Sequence, residues 1–311
     1  SAPRSVWASA PRDWKPEMSR GGESRAGARA IVLDHGAATD TGLTRAHNED
    51  SYLAAHPVFL VADGMGGHEA GDVASRTALA AFSPYLGAPE ISGDALMECL
   101  GRAARDVDAL GADRDPLMVL PGCTLSGVVV TSIDGRACLR VLNIGDSRTY
   151  RMTPDGVEQI TVDHSEVQEL MSSGQLTAGE ALASPRRHVI TRALGAGIGP
   201  VALADHFLIP ARAGDRLIVC TDGVSGEIDD DSISSIVHRG QRPQETADSL
   251  IDAALGAGGR DNATVIVIDV THAPPAMTDT APDVDSTTIP STKHDTLPRA
   301  REQHSSKENP S

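Results

Sequence analysis

Two tight-turn signals between β-branched runs constrain the fold of this chain more than any other feature. Asp134-Gly135 lies between the apolar runs Leu125–Ser132 and Ala137–Ile144, and Pro154-Asp155-Gly156 marks a second turn. Strands joined by so short a connection must run antiparallel. Helical periodicity falls in groups between the strands instead of alternating with single strands, over residues 69–86, 93–111, 164–173, 229–239 and 243–257. We therefore predict an α+β fold in which mainly antiparallel sheet is covered by helices.

The predicted elements all fall in the middle of the chain. The remaining β-branched runs are Ile31–Leu33, Val58–Ala62, Leu217–Cys220 and Thr264–Val270. Residues 1–30 are rich in Pro, Gly, Ser and Arg, and residues 271–311 in Pro, Ser, Thr and charge, without a period of 2 or 3.6. Such segments bury too little apolar surface to offset the entropy of ordering. We predict a domain over 31–270 between a disordered N-terminal arm and a disordered C-terminal tail.

The net charge of the chain disfavours two classes of partner. Lys and Arg number 27 against 43 Asp and Glu, a formal net charge of -16. That sign disfavours a nucleic-acid backbone or an anionic membrane surface, so we expect neither partner. The apolar runs are also far shorter than the ~20 residues that cross a bilayer. Four cysteines, far apart and without a C-x-x-C pair, indicate reduced core residues. We expect a cytoplasmic protein.

Five short stretches place Asp or Glu beside Gly or Asn at the end of an apolar run. A strand that ends in Asp-Gly delivers a carboxylate at the sheet edge, and glycine lets a backbone carbonyl approach an ion. One such pair is usually only a turn, but five together indicate a candidate metal site. Oxygen ligands without Cys or His suit Mg²⁺ or Mn²⁺ better than Zn²⁺. The stretches are Asn48-Glu49-Asp50, Asp63-Gly64, Gly145-Asp146, Asp222-Gly223 and Asp261-Asn262.

The order of these motifs resembles bacterial metal-dependent Ser/Thr protein phosphatases of the PPM (type 2C) family. The resemblance begins with Arg45-Ala-His-Asn-Glu49-Asp50 and Asp63-Gly-Met-Gly-Gly-His68 and covers roughly residues 31–270. It implies a four-layer α-β-β-α sandwich with two packed, mainly antiparallel sheets. The later motifs are Gly122-Cys-Thr-Leu125, Asn143-Ile-Gly-Asp146, Thr161-Val-Asp-His-Ser165, Arg192-Ala-Leu-Gly195, Cys220-Thr-Asp222-Gly and Gly259-Arg-Asp261-Asn262.

The resemblance also implies a set of metal ligands. Asp63 would bridge two Mn²⁺ or Mg²⁺ ions, with the Gly64 carbonyl and Glu49 on one ion and Asp222 and Asp261 on the other. In this family, a hydroxide held between the two ions attacks phosphorus in line, since two ions ~3.5–4 Å apart lower the pKa of the water between them. Asp63 is therefore a candidate catalytic residue as well as a ligand.

Four further residues match family positions around the ions. Arg45 is the candidate catalytic arginine that grips two phosphoryl oxygens, which suits a planar guanidinium. Asp146 matches a residue implicated in a third, weaker ion. Asp50 and Asn262 stand beside ligands and would orient them.

The chain departs from the family pattern at a few positions. Met65 replaces the His of many eukaryotic members and cannot donate a proton, so a water or His68 is the candidate general acid. Gly226 stands where the family usually has Asp, a departure that would loosen the third ion or a hydrogen bond around it. Residues 172–192 match the family's flap beside the cleft. The flap carries Arg186, Arg187 and His188, which could meet acidic or phosphorylated partners.

These implications lead to a main hypothesis and two alternatives. The main hypothesis is a monomeric serine/threonine protein phosphatase that acts on phosphoSer and phosphoThr proteins and opposes a bacterial Ser/Thr kinase. The alternatives are a catalytically idle scaffold that binds phosphoproteins and a two-metal phosphoesterase for small phosphates. The presence of Glu49, Asp63, Asp222 and Asp261 argues against an idle relative.

Overall fold

The computed structural model describes residues 31–66, 70–112, 119–133, 136–199 and 203–274. The predicted arm 1–30, the tail from residue 275 onward, the Asp134-Gly135 turn and His68 lie outside the described residues. The strands are β1 (Val32–Asp40), β2 (Ser51–Ala55), β3 (Val58–Ala62), β4 (Gly64–Met65), β5 (Gly122–Cys123), β6 (Leu125–Ile133), β7 (Arg136–Ile144), β8 (Arg148–Thr153), β9 (Gly156–Gln159), β10 (Leu194–Gly195), β11 (Asp205–Ile209), β12 (Arg216–Cys220) and β13 (Ala263–His272). The helices are α1 (Ala70–Ala80), α2 (Gly93–Ala109), α3 (Glu166–Ser172), α4 (Ala178–Ala183), α5 (Asp222–Ser225), α6 (Asp230–Val237) and α7 (Pro243–Ala257).

Antiparallel pairing organises the described strands into two five-stranded sheets and a small third one. One large sheet has the order β1-β13-β12-β8-β9 and the other β11-β7-β6-β3-β2. The two-residue strands β10, β5 and β4 form the small sheet. Thr153 pairs with Gly156 across the predicted Pro154-Asp155 turn, and β6 pairs antiparallel with β7 along its length. The prediction of antiparallel sheet is confirmed.

The two large sheets pack face to face around an apolar core. Leu217 and Val219 of β12 face this core, with Ile266 and Ile268 of β13, while Phe59 of β3 enters it from the other sheet. All five side chains are essentially buried. The intervening β12 residues face the helices instead, because successive side chains of a strand point to opposite faces. Strands buried on both faces explain the continuous apolar runs in the sequence.

Helices cover the outer face of each large sheet. Helix α2 begins at the cap Ser92, whose side chain accepts the Ala95 N–H. Its apolar residues recur at helical spacing, which turns one face of α2 toward the β3 and β6 side chains. Helices α6 and α7 cover β12 and β13 in the same way. The layers therefore run α-β-β-α, as the resemblance implied. The α2 residues buried in this contact are Leu96, Cys99, Leu100, Ala103, Ala104 and Val107.

Some elements differ from their predicted bounds. Helical periodicity over 69–86 is interrupted, since α1 ends at Ala80 and a single 3₁₀ turn, Ser83–Tyr85, contains Pro84. Strand β1 extends to Asp40 because it pairs with β13 along its whole length, and β13 reaches His272, beyond the predicted domain end at 270. No β-branched run was identified for β2, for β11 or for the two-residue strands β4, β5 and β10, and the Pro154-Asp155-Gly156 turn alone implied β8 and β9. In the described ranges, every helix is too short or too polar to traverse a lipid bilayer.

Candidate active site

The acidic stretches gather because their strand ends meet at one edge of the two large sheets. Antiparallel pairing brings the start of one strand beside the end of its neighbour, and here the paired ends carry the acidic motifs. The register pairs at this edge are Ser51 with Ala62, Leu125 with Ile144, Cys220 with Val265 and Asp40 with Ala263. Motifs as far apart in sequence as Glu49 and Asn262, which are separated by 213 positions, thus share one end of the sandwich.

A cleft of about 450 Å³ opens at this edge. Its walls include five of the residues that the sequence singled out, namely Arg45, Asp63, Asp146, Asp222 and Asp261. Each carboxylate comes from a different turn: Asp63 follows β3, Asp146 follows β7, Asp222 begins α5 after β12, and Asp261 precedes β13. The structure therefore brings four predicted metal ligands and the predicted phosphate-binding arginine to one concave surface.

Glu49 and Gly64 do not line the cleft but lie against helix α1. A Cβ at Gly64 would stand 2.2 Å from the Gly71 carbonyl oxygen, and a Cβ at Gly71 would stand 2.7 Å from Glu49 Oε1. Only glycine allows this close approach of backbone and carboxylate. Glu49 Oε1 is buried without a hydrogen-bond partner among the described residues. A buried carboxylate oxygen of this kind needs a proton or a cation.

Asn262 fastens the loop between β1 and β2 to the start of β13. Its Oδ1 accepts the Glu49 N–H at 2.8 Å. Its Nδ2 donates to the Thr41 carbonyl at 2.8 Å and to the His47 carbonyl at 2.9 Å. This loop carries both Arg45 and Glu49, so the amide holds two predicted site residues in place.

Asp50 is buried next to the predicted ligand Glu49 in the sequence and does not line the cleft. It is 6% exposed, and Thr221 Oγ1 donates to its Oδ2 at 2.8 Å. Burial raises the pKa of Asp50 to about 8. Thr124 supports Asp63 in a similar way, because its hydroxyl accepts the Asp63 N–H at 3.0 Å. The sequence contained Thr221 and Thr124 within quoted motifs, but no local pattern assigned them these roles.

The carboxylates of the cleft repel one another. Burial raises the pKa of Asp63 well above its usual range, and the charges of Asp50, Asp222, Asp146 and Asp261 raise it further. Burial, followed by the Asp222 charge, raises the pKa of Asp146 to about 7. Like charges held this close in a poorly solvated site favour the binding of a proton or a metal ion.

Residues of this site fit divalent ions in chemistry, although their side chains do not form a closed ligand set. No three His, Cys, Asp or Glu side chains within the described part of the chain converge on one point as metal ligands. Two carboxylates contact basic side chains instead: Arg45 Nη2 lies 2.7 Å from Asp261 Oδ2, and His188 Nδ1 lies 3.6 Å from Asp222 Oδ2. Asp222 Oδ1 is buried and without a partner in the described residues, like Glu49 Oε1. These oxygens suit Mg²⁺ or Mn²⁺.

Two positions at which the sequence departs from the family pattern also lie at the cleft. Met65 and Gly226 both line it. A Cβ at Gly226 would stand 2.7 Å from the Asp222 carbonyl oxygen, so this turn has little room for a larger residue. The neighbouring Glu227 also lines the cleft, with a side chain that is 6% exposed.

Two of the three flap residues singled out in the sequence line the cleft. Arg187 and His188 line the wall, whereas Arg186 Nη2 pairs with Glu166 Oε2 at 2.7 Å. The Asp222 carboxylate raises the pKa of His188. Backbone hydrogen bonds hold the base of the flap, including the Glu166 N–H donated to the Val189 carbonyl at 2.9 Å. The flap therefore begins and ends on ordered backbone beside the site.

Comparison with known proteins agrees with this geometry. Residues 44–256 match a family model described as protein phosphatase 2C. The chain is 38% identical over 245 residues to the serine/threonine protein phosphatase PstP of Mycobacterium tuberculosis H37Rv, covering 77% of this chain and 45% of PstP. It is 34% identical over 243 residues to the serine/threonine phosphatase stp of Listeria innocua, covering 74% and 93%. The chain thus spans less than half the length of PstP.

Solved structures of related phosphatases are similar to this structure. The crystal structure of M. tuberculosis PstP/Ppp superposes with a TM-score of 0.69 at 36% identity, over 78% of this chain and 100% of that one. The PstP catalytic domain in complex with two manganese ions also gives 0.69, at 34% identity and the same coverage. The resemblance that the motifs indicated and the predicted fold are both confirmed. The acidic motifs follow the family's order along the sequence and meet at one cleft, and the family model and the solved structures match. The chain therefore belongs to the protein phosphatase 2C family.

Proposed function

We propose that this chain is a metal-dependent serine/threonine protein phosphatase. The observation that carries the proposal is the convergence of Asp63, Asp146, Asp222 and Asp261 with Arg45 on one open cleft. A phosphorylated side chain is a dianion, and a cluster of carboxylates can receive it only when cations reverse the local charge. Membership of the phosphatase 2C family and the similarity to PstP and stp support the same reading.

We propose the five central ligand roles that the family resemblance implies. Asp63 would bridge two Mn²⁺ or Mg²⁺ ions, the Gly64 carbonyl and Glu49 would serve one, and Asp222 and Asp261 the other. The unpartnered oxygens of Glu49 and Asp222 support this assignment. When bound, the two ions supply a nucleophile near neutral pH and neutralise charge on the phosphoryl oxygens. Manganese in the PstP catalytic domain supports this choice of ion.

Residues around these ligands position the substrate and the loops. The Arg45 side chain is half exposed and can donate two N–H groups to phosphoryl oxygens once it leaves Asp261. Asp146 would hold a third, weaker ion. Asp50 and Asn262 orient the loops through Thr221 and the Glu49 N–H.

The proposal also covers the substrates, the opposing kinase, the oligomeric state and the location of the protein. We propose phosphoSer and phosphoThr proteins as substrates, opposition to a Ser/Thr kinase, a monomeric state and a cytoplasmic location. The relatives' names support the substrate class. All four cysteines are free, which agrees with a reducing compartment.

One experiment tests the central claim. We would measure hydrolysis of p-nitrophenyl phosphate and of a phosphothreonine peptide with Mn²⁺, with Mg²⁺ and with EDTA. Asp63→Asn should abolish turnover and reduce the number of Mn²⁺ ions bound in isothermal titration. Asp155→Asn, the same change in the exposed turn between β8 and β9, is the matched control and should behave as wild type.

The outcomes separate the alternatives left open by the sequence. Turnover of both substrates that needs metal and is lost in Asp63→Asn supports the phosphatase. Turnover of p-nitrophenyl phosphate alone would indicate a phosphoesterase for small phosphates. Folded protein that binds the phosphopeptide without turnover in any metal would indicate a scaffold. Near-normal activity of Asp63→Asn with both ions bound would refute the ligand assignment.

A further inference from the structure

Two arginines line the cleft without a role in the chemistry proposed above. Arg187 belongs to the flap, and Arg260 immediately precedes Asp261. Both side chains are exposed, and that of Arg260 is 65% exposed. Within the described residues, the Arg187 guanidinium has no ion-pair partner, and Arg260 Nη2 lies 3.7 Å from Glu227 Oε2, near the limit of an ion pair.

Contacts with Glu227 and the space at Gly258 hold the backbone of Arg260 in position. Glu227 is 94% buried at its side chain, and its Oε1 accepts the backbone N–H of Arg260 at 3.1 Å. Gly258 makes room for this contact, since a Cβ there would stand 2.9 Å from Glu227 Oε2 and 3.1 Å from Arg260 Nε. The carboxylate thus fixes the backbone of Arg260 and leaves most of its guanidinium in solvent at the cleft.

Neighbouring arginines are neutralised at close range, which sets these two apart. Arg45 lies 2.7 Å from Asp261, and Arg186 lies 2.7 Å from Glu166. Arg187 has no ion-pair partner in the described part of the chain, and Arg260 has only the 3.7 Å contact with Glu227, so both can pair with a carboxylate on an incoming substrate. An exposed guanidinium without a close partner can pair with a new carboxylate without first losing a short ion pair, while the entropy of ordering the side chain keeps the gain small.

A bound phosphopeptide would bring its flanking residues to these two guanidinium groups. Both arginines line the cleft of about 450 Å³ that would receive the phosphoryl group, and an extended peptide advances about 3.3 Å per residue. Once the phosphoryl group lies among the carboxylates, side chains one to three positions away reach the cleft wall. The charge there attracts Asp or Glu and repels Lys or Arg.

We propose that Arg187 and Arg260 select substrates with Asp or Glu within about three residues of the phosphorylated side chain; this inference rests on the phosphatase function proposed above. Exposed ion pairs contribute 1.4- to 5-fold in binding, as expected from about 0.2–1 kcal/mol per pair. Two such pairs therefore produce a preference of several-fold, which salt weakens because the groups are solvated.

The test uses three phosphothreonine peptides that differ only in their flanking residues, which are Asp, Ala or Lys. With Mn²⁺ at low ionic strength, wild type should give kcat/KM in the order Asp, Ala, Lys, with about a tenfold spread that narrows in 0.5 M salt. Arg187→Glu and Arg260→Glu should each flatten or reverse the order. Arg239→Glu makes the same charge change at an exposed position outside this cleft and should keep the wild-type order.

The readout is a ratio within each enzyme, so a general loss of activity does not imitate the effect. Equal kcat/KM on the three peptides in wild type, or a wild-type ratio retained in both variants, would overturn the selection. If wild type hydrolyses neither p-nitrophenyl phosphate nor any peptide, the proposed function has failed. Anisotropy titrations of the same peptides then decide: tighter binding of the Asp peptide, lost in Arg187→Glu, supports the selection, and equal affinities overturn it.

Discussion

Replacing Asn262 with alanine should loosen the loop that carries Arg45 and Glu49 while the sheets stay intact. The amide makes three hydrogen bonds to this loop, at 2.8, 2.8 and 2.9 Å, with the Glu49 N–H and the carbonyls of Thr41 and His47. Asn262 is 5% exposed, so water cannot simply replace the lost contacts. The variant removes every one of these side-chain contacts and adds no bulk.

The size of the effect follows from the number of bonds. At about 1 kcal/mol net for each hydrogen bond, Asn262→Ala should lower the free energy of unfolding by about 3 kcal/mol. For a domain of this size, that loss corresponds to a fall in Tm of roughly 6–12 °C. Loss of a group that orients metal ligands typically weakens metal binding by about 10–100-fold, so Mn²⁺ affinity should fall by a similar factor.

Urea unfolding, thermal melting and Mn²⁺ titration measure these quantities. Gln244→Ala is the control, because Gln244 also bonds to a backbone, the N–H and carbonyl of Ala37 at 3.2 and 3.0 Å, but at an exposed place away from the cleft. It should cost less stability and leave Mn²⁺ affinity unchanged. If Asn262→Ala lost under about 0.5 kcal/mol and bound Mn²⁺ as wild type does, the amide would not be what holds the loop.

Three shorter predictions concern the scaffold. Asp269→Ala should lower the free energy of unfolding by about 3–5 kcal/mol in urea titrations, because Arg216, bidentate to Asp269 at 2.6 and 2.7 Å, would stay buried without its counter-charge; a loss below 1 kcal/mol would contradict this. Burial lowers the pKa of the His164 imidazole below its usual 6.5, so as the pH drops the unfolded chain takes up this proton before the folded chain does. The contribution of His164 to the free energy of unfolding therefore falls as the pH drops through about 6.5. The stability advantage of wild type over His164→Gln should therefore narrow between pH 7.5 and 5, and a constant difference would refute a neutral buried imidazole. Gly256→Ala should raise the free energy of unfolding by about 0.5–1 kcal/mol, since no atom lies within 4 Å of its added Cβ in α7; a loss measured by thermal melting would argue against open space there.

Local signals were enough to locate the acidic residues of the site. A β-branched run followed by Asp-Gly is readable within six residues, and this pattern located Asp63, which directly follows β3, and Asp222, which follows β12 after Thr221. The helical periodicity of 93–111 and 243–257 also gave α2 and α7 within two residues of their ends. In each case the signal comes from residues that are neighbours in the sequence.

Contacts between distant residues were not predictable from the single chain. Thr221 meets Asp50 across 171 positions, and Asn262 meets Thr41 across 221. Strand order depends on the whole sheet, so no local pattern placed β8 beside β12 or β1 beside β13. The pairing of Arg45 with Asp261 was likewise unforeseen, because the family resemblance assigned these two residues to different partners.

Strand β11 was missed for a related physical reason. Its sequence, Asp205–Ile209, contains one buried residue, and Leu208 is 47% exposed. A strand that pairs with β7 alone, at the border of its sheet, does not need an alternating apolar face. Its pairing becomes visible only when β7 is known to have a free edge.

The pairing of β1 with β13 determines how far from the cleft a tag or fused domain would be attached. Val32 pairs with His272 at one end of the two strands, and Asp40 pairs with Ala263 at the other, which is the end that carries the cleft. Nine residues of strand separate the two ends, about 30 Å. A fluorophore, an affinity tag or a fused domain attached before Ile31 or after Pro274 would therefore start far from an incoming substrate. Because both attachment points are neighbours in space, one short linker would also suffice to make the domain circular.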